Sequence, residues 1–196
     1  MSRPRTVTDD AILTAAVRAM ARHGPVDLTL AHVGAEVGLS PAALIKRFGS
    51  KRGLLLEVSR RTSAGVAARF AALRLTHASP LTALVESTLD LARETRSAKE
   101  LANHLAFLRV DVTDPDFRRP MLVMARATLA GYVELLTEAV ARRELRPCDP
   151  AALARLVDAV VGGSLIAWAV ARTGTAEAWV RRDVLALLAP YRRPGR

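Results

Sequence analysis

Apolar residues recur at three- and four-residue spacing along nearly the whole chain, and no window alternates with period two between hairpin turns. The pattern predicts an all-α fold. Thr8 before Asp9 and Asp10 is a capping hydroxyl followed by two acids in a first helical turn, and Ile12, Ala16, Ala19 and Met20 line one face until Gly24-Pro25 stops the helix. Thr29 caps a second helix with Leu30, Val33, Gly34 and Val37 on one face. Gly38 supplies the turn, and Ser40-Pro41 is the cap and first residue of a third helix. In that third helix Leu44 and Phe48 point inward, which leaves Ala42, Ala43, Lys46 and Arg47 outward.

Ser50 caps a fourth helix through Leu54, Leu55 and Val58, and its pattern continues without a breaker to about Leu75. Residues 76–80 form the first boundary. Five more helices are expected beyond it. The first opens at Ser79-Pro80 and carries Leu81, Leu84, Val85 and Leu89 to about Arg96. The next holds Leu101, His104, Leu105 and Leu108 inward. After a polar stretch with Asp111, Asp114 and Asp116, read as a solvated turn, a long helix starts near Pro120 with Leu122, Leu129 and Leu136 inward. The last two begin at Asp149-Pro150 and after Gly174-Thr175 and end near Thr173 and Ala189. The segment around residues 153–168 is apolar on more than one stripe and contains Gly162-Gly163-Ser164. A helix apolar most of the way round needs two neighbours, and a second copy of the chain is the natural second one.

A short helix, a sharp Gly turn and a second helix with small and basic outer residues is the helix-turn-helix pattern. Charge sharpens it. The chain carries a formal +10, and residues 1–61 hold ten Lys and Arg against five Asp and Glu. Six of those cations, Lys46, Arg47, Lys51, Arg52, Arg60 and Arg61, lie after Gly38 against the single acid Glu57, so the field favours a polyanionic partner. Lys51 stands in a first helical turn, where the helix dipole opposes a cation, and an adjacent phosphate would relieve it. Arg3 and Arg5 are candidates for a minor-groove arm or a plain tail.

Other chemistry is sparse. No phosphate loop, dinucleotide fingerprint or nucleophile elbow is present, so no catalytic residue is named. The four His and the single Cys148 lack metal-ligand spacing, so neither metal nor cofactor is expected. One Cys allows no internal disulfide, and no uninterrupted apolar run of about 20 residues stands out as a membrane span. The expected setting is cytoplasmic.

The residues AILTAAVRAMARHG, then 29–37, then GLSPAALIKRFGSKRGLL resemble the TetR family of bacterial transcriptional regulators. The resemblance implies a helix-turn-helix DNA-binding domain at residues 1–61, its fourth helix continuing as a connector to about 75, and a helical ligand-binding and dimerisation domain at 76–196. It further implies a homodimer, commonly a repressor, that binds a palindromic double-stranded operator and is released by a small-molecule effector. Carried over, Thr29 and Ser40 cap helices near the phosphate backbone, Pro41, Ala42, Ala43 and Lys46 face the groove, and Arg47 and Lys51 reach phosphates. Ile45 departs from the usual Tyr and meets a thymine methyl or packs on the domain. Gly34 stands where Ala is usual and is expected to loosen its helix slightly.

The ligand candidates are His104, Phe107, Leu108, Met121, Met124 and Trp168, each of which also reads as ordinary core. Val160, Gly163, Ser164, Ala167, Trp179 and Leu187 are the dimer candidates. Two other readings stay open: an all-α small-molecule carrier or small helical enzyme with a structural N-terminal unit, and a membrane-surface protein drawn by its charge.

Overall fold

The computed structural model describes residues 7–193. Ten α-helices follow in order: α1 (Asp9–Asp27), α2 (Leu30–Val37), α3 (Pro41–Phe48), α4 (Lys51–Thr76), α5 (Pro80–Thr88), α6 (Asp90–Glu94), α7 (Ala98–Thr113), α8 (Pro115–Ala141), α9 (Pro150–Ala171) and α10 (Ala176–Leu188), the last running into a 3-10 turn at Ala189–Tyr191. Among the described residues no strand forms; one isolated bridge pairs Leu145 with Arg192. The fold is all-α. Arg3 and Arg5 lie outside the described residues.

Boundaries depart from the periodic reading where local chemistry intervenes. Gly24 breaks α1 at φ 75°, yet a last helical turn resumes to Asp27. Leu89 divides the fifth expected helix into α5 and α6. Helix α8 begins at Pro115 rather than Pro120, because the Asp114 carboxylate accepts from the Asp116 amide and caps it there.

The chain folds as two compact units, each discontinuous in sequence. One contains the residues up to Ser63 with Ala102–Leu122, the other Ala64–Leu101 with the residues from Val123 onward. Helices α4, α7 and α8 contribute residues to both. The first unit packs Ile12, Leu28, Val33, Leu44, Leu54 and Phe117 into one apolar cluster. Phe107 and Phe117 meet there edge to face at 5.8 Å, an arrangement that suits the ring quadrupoles.

In the second unit the core runs through Phe70, Leu84, Tyr132, Leu135, Val157 and Leu188. Glu144, just after α8, fastens the start of α5 by accepting from Ser79 Oγ and the Leu81 amide. Glu86 and Glu177 share Arg93 and Arg181 in a four-membered ion-pair ring. Helix α9 is long and apolar enough to cross a bilayer by length and composition, with mean hydropathy 1.6 in its richest window. That exceeds the expectation from uninterrupted runs, since Arg155 and Asp158 lie within the helix without lowering its average below that of a span.

Candidate nucleic-acid interface

Helices α2 and α3 have eight residues each, below the roughly 12–15 at which isolated helices persist in water, so caps and packing must hold them. Thr29 Oγ accepts from the His32 amide while His32 Nδ1 accepts from the Thr29 amide, a reciprocal capping box with His in the place of Glu. The His32 ring also stacks on His23 at 4.0 Å, tying α2 to the end of α1. Ser40 Oγ accepts from the Ala43 amide to start α3.

Between the helices Gly38 takes φ 70°, a left-handed conformation in which a side chain is disfavoured. Gly34 has a stricter role than expected: a Cβ there would lie 2.2 Å from the Leu39 carbonyl oxygen. The turn therefore closes over Gly34, and the departure from Ala is a packing requirement of this chain rather than a loosening of α2.

Leu44 is fully buried under α3. Pro41, Ala42, Ile45 and Lys46 are exposed on the other side, with Ala43 half-buried. Ile45 is 50% exposed, so it presents an apolar surface instead of packing on its own unit. Small, apolar and cationic groups thus share one outward face, the chemistry needed for major-groove edges and thymine methyls.

The basic excess is less free than it looks in sequence. Arg47 donates to the Val7 carbonyl at 2.7 Å and pairs with Asp9 at 3.0 Å. Arg61 pairs with Asp10 and donates to Thr14, and Arg60 lies 3.5 Å from Glu57. Arg52 bonds Asp114 at 2.9 Å and Asp116 at 2.8 Å, and its guanidinium lies 5.4 Å from the centre of the Phe117 ring. Those bonds, with the Asp116 amide, hold the Asp114 carboxyl below the usual carboxylate range. Lys46 is the α3 cation without an ion-pair partner among the described residues.

Lys51 is held by its own unit. Its ammonium donates to the carbonyls of Pro25, Val26 and Leu28 at 3.0, 3.0 and 2.7 Å. Three backbone oxygens at the end of α1 and just beyond it take up its three donors, so a phosphate would have to compete with them. Lys51 joins α4 to α1.

The polar stretch before α8 also differs from the expected solvated turn. Asp111 is buried, only 8% exposed, and burial pushes its carboxyl up to about 6. The folded chain then holds this proton more tightly than the unfolded chain, so stability falls as pH rises from about 4 to about 6. Asp111→Asn is expected to flatten that part of the profile and to raise the unfolding free energy at pH 7 by about 1–3 kcal/mol. Denaturant unfolding at several pH values checks this; identical profiles for both proteins would exclude Asp111 as the cause. The amide of Asn103 reaches the Ala21 carbonyl at 2.7 Å, a further bond between α7 and α1 that sequence spacing does not reveal.

The other candidate residues scatter. Phe107 lies in the core of the first unit, edge to face with Phe117. Leu105, Leu108 and Leu122, expected inward, are 42%, 39% and 44% exposed. His104 and Met121 are half-buried in that unit, whereas Met124 packs against the core of the second. Trp168 lies in the second core and donates to the Gly174 carbonyl. Of the dimer candidates, Gly163 and Ala167 are exposed and Val160 and Leu187 pack partly on the core. Ser164 is buried and donates to Asp183 of α10 at 2.8 Å. Trp179 donates to the Thr173 carbonyl, with the Arg182 guanidinium over its ring.

A capped helix-turn-helix unit with an outward third helix continues through shared helices into a larger all-α unit. Residues 12–58 match the family described as "Bacterial regulatory proteins, tetR family", so that stretch is similar to the N-terminal unit of those proteins. Solved structures agree along most of its length. A transcriptional regulator of Saccharomonospora viridis in complex with choline aligns over 92% of this chain and 95% of that one, at 22% identity and TM-score 0.75. A TetR transcription regulator of Haloarcula marismortui aligns over 94% and 98%, at 15% identity and TM-score 0.74. FadR of Bacillus subtilis, in complex with stearoyl-CoA, aligns over 93% and 98%, at 14% identity and TM-score 0.64. Identities this low establish the shared fold. No curated protein matches the chain.

Proposed function

We propose that this regulator is a cytoplasmic homodimeric repressor that binds palindromic operator DNA through α3 and is released by a small-molecule effector, with no catalytic role. Residues 1–61 serve as the reading domain and 76–196 as the ligand-binding and dimerisation domain. The observation that carries the reading is the division of α3: Leu44 anchors it beneath while Pro41, Ala42, Ile45 and Lys46 stand free above. A recognition helix needs that arrangement to enter a major groove without dismantling its own unit. The ligands of the two liganded relatives, a quaternary ammonium and an acyl thioester, share no chemistry, so neither is carried over.

Dimerisation is supported by α9. Leu156, Ala159, Gly163, Ile166, Ala167 and Val170 are exposed along one face, with Val170 80% exposed. A Cβ at Gly162 or Gly163 would meet nothing within 4 Å, so the face is smooth and open enough for a second helix to approach. An isologous pairing of α9 with its copy would cover the stripe. The charged Arg155 at the edge of this stripe suits a protein partner better than hydrocarbon.

The DNA contacts are tested by salt dependence. Lys46→Ala and Arg47→Ala are each expected to weaken binding and to reduce the slope of log affinity against log salt by roughly 1. Arg47 must exchange Asp9 for a phosphate, so Asp9→Asn, which removes the competing charge, is expected to tighten binding. A gel shift with DNA flanking the gene, repeated over a range of salt, reads all three. Unchanged slopes in both cation variants would sink this assignment of contacts.

A further inference from the structure

A cavity of about 350 Å³ lies wholly within the second unit, lined by Ser97, Ala98, Lys99, Trp168, Ala169, Arg172 and Gly174. We propose that it binds a small organic anion, with Lys99 and Arg172 holding the anionic oxygens and Trp168 with the two alanines taking a flat apolar body. This deepens the effector-responsive reading by naming a site and a ligand class, and it rests on that reading only for its consequence at DNA.

The charge balance is one-sided. No carboxylate lines the cavity, and neither Lys99 nor Arg172 has an ion-pair partner among the described residues. The nearest acid in sequence, Glu100, is already turned to the Arg96 amide at 2.7 Å. The start of α7 adds its positive end at Ala98, and the end of α9 opposes it at Arg172. Each helix end is worth about half a charge, so the two terms offset and the two full cations decide the sign.

The walls are fixed before any ligand arrives. Trp168 spends its indole N–H on the Gly174 carbonyl at 3.2 Å, and Trp179 spends its own on the Thr173 carbonyl at 2.7 Å. Residues 172–174 are thereby tied to both indoles. Trp168 has no donor left for a ligand and offers only apolar surface. A preformed rim avoids the ordering cost that weakens mobile sites. The volume is at the small end of ligand pockets, which suits a single ring with a charged head rather than a long acyl chain. Arg172 can grip carboxylate or phosphate with two parallel donors, and Lys99 supplies a point charge to either.

Benzoate and phenyl phosphate are the probes, titrated into the full chain while tryptophan fluorescence is followed, with neutral benzamide as the uncharged control. Saturable quenching by at least one anion and none by benzamide is expected. The double variant Lys99→Gln, Arg172→Gln should weaken that anion at least about tenfold, as loss of two charge-assisted contacts implies. Both residues are exposed, so its thermal unfolding without ligand should match the parent. Ala169→Leu, which fills the cavity and keeps both charges, should also abolish quenching. Equal binding of benzamide, unchanged binding by the double variant, or no saturable response to either anion would overturn the site. DNA affinity measured on the parent without probe reports separately on the operator reading, so either can fail alone.

Discussion

Leu44→Ala is expected to destabilise the first unit by about 2–5 kcal/mol and to abolish operator binding with it. Leu44 is the one fully buried side chain of an eight-residue helix, and it packs in the cluster of Ile12, Val33 and Leu54. Helix propensity cannot replace that anchor, because a helix of this length does not persist without tertiary contacts. Truncation leaves a cavity beneath α3 as well as losing apolar burial. Folded domains commonly hold only about 5–15 kcal/mol in all, so the loss is a large fraction of the total. Denaturant unfolding of the full chain, followed by far-ultraviolet dichroism, should show a lower midpoint. An unchanged midpoint would mean that α3 is held by its caps and not by Leu44.

The second large effect is at the exposed face of α9. Ile166→Arg places a cation in the middle of the apolar stripe, between Gly163 and Val170, where Ile166 is 50% exposed in the single chain. The substitution costs little in an isolated chain because the residue already meets solvent. In a dimer built on this face it buries one charge from each copy without a partner, a penalty of several kcal/mol per ion. The variant is expected to sediment as a monomer with unchanged helix content. Affinity for a palindromic duplex should fall by about 10²–10⁴, since each reading head then binds without the effective concentration supplied by its twin. A variant that stays dimeric would place the subunit contact elsewhere.

Much of the architecture is legible in the sequence because it depends on local rules. Thr8, Thr29, Ser40, Ser79, Asp149 and Thr175 all cap helices through their side chains, and each is a capping residue type ahead of an apolar period. The buried faces of α1 and α3 follow their periodicity in the same way. What was hidden depends on pairs distant in sequence. Lys51 reads as an unsatisfied cation because the carbonyls that hold it are more than twenty positions earlier. Arg52 reads as part of a free basic patch because Asp114 and Asp116 lie over sixty positions later. Phe107 and Asp111 belong to the first unit only because residues 102–122 return to it. Periodicity reports that a face is buried and is silent on which neighbour buries it. For the same reason it mistook Leu105, Leu108 and Leu122 for core.

In the proposed regulator two copies of α3 read one palindrome. Selection of bound sequences from random duplex DNA, with the mass of the selected complex measured by sedimentation, tests it directly. One enriched inverted repeat is expected, with half-site centres about 34–36 Å apart or a multiple of that, and two chains or a multiple of two on each duplex. No enriched sequence, or a single unrepeated half-site bound by one chain, would contradict it.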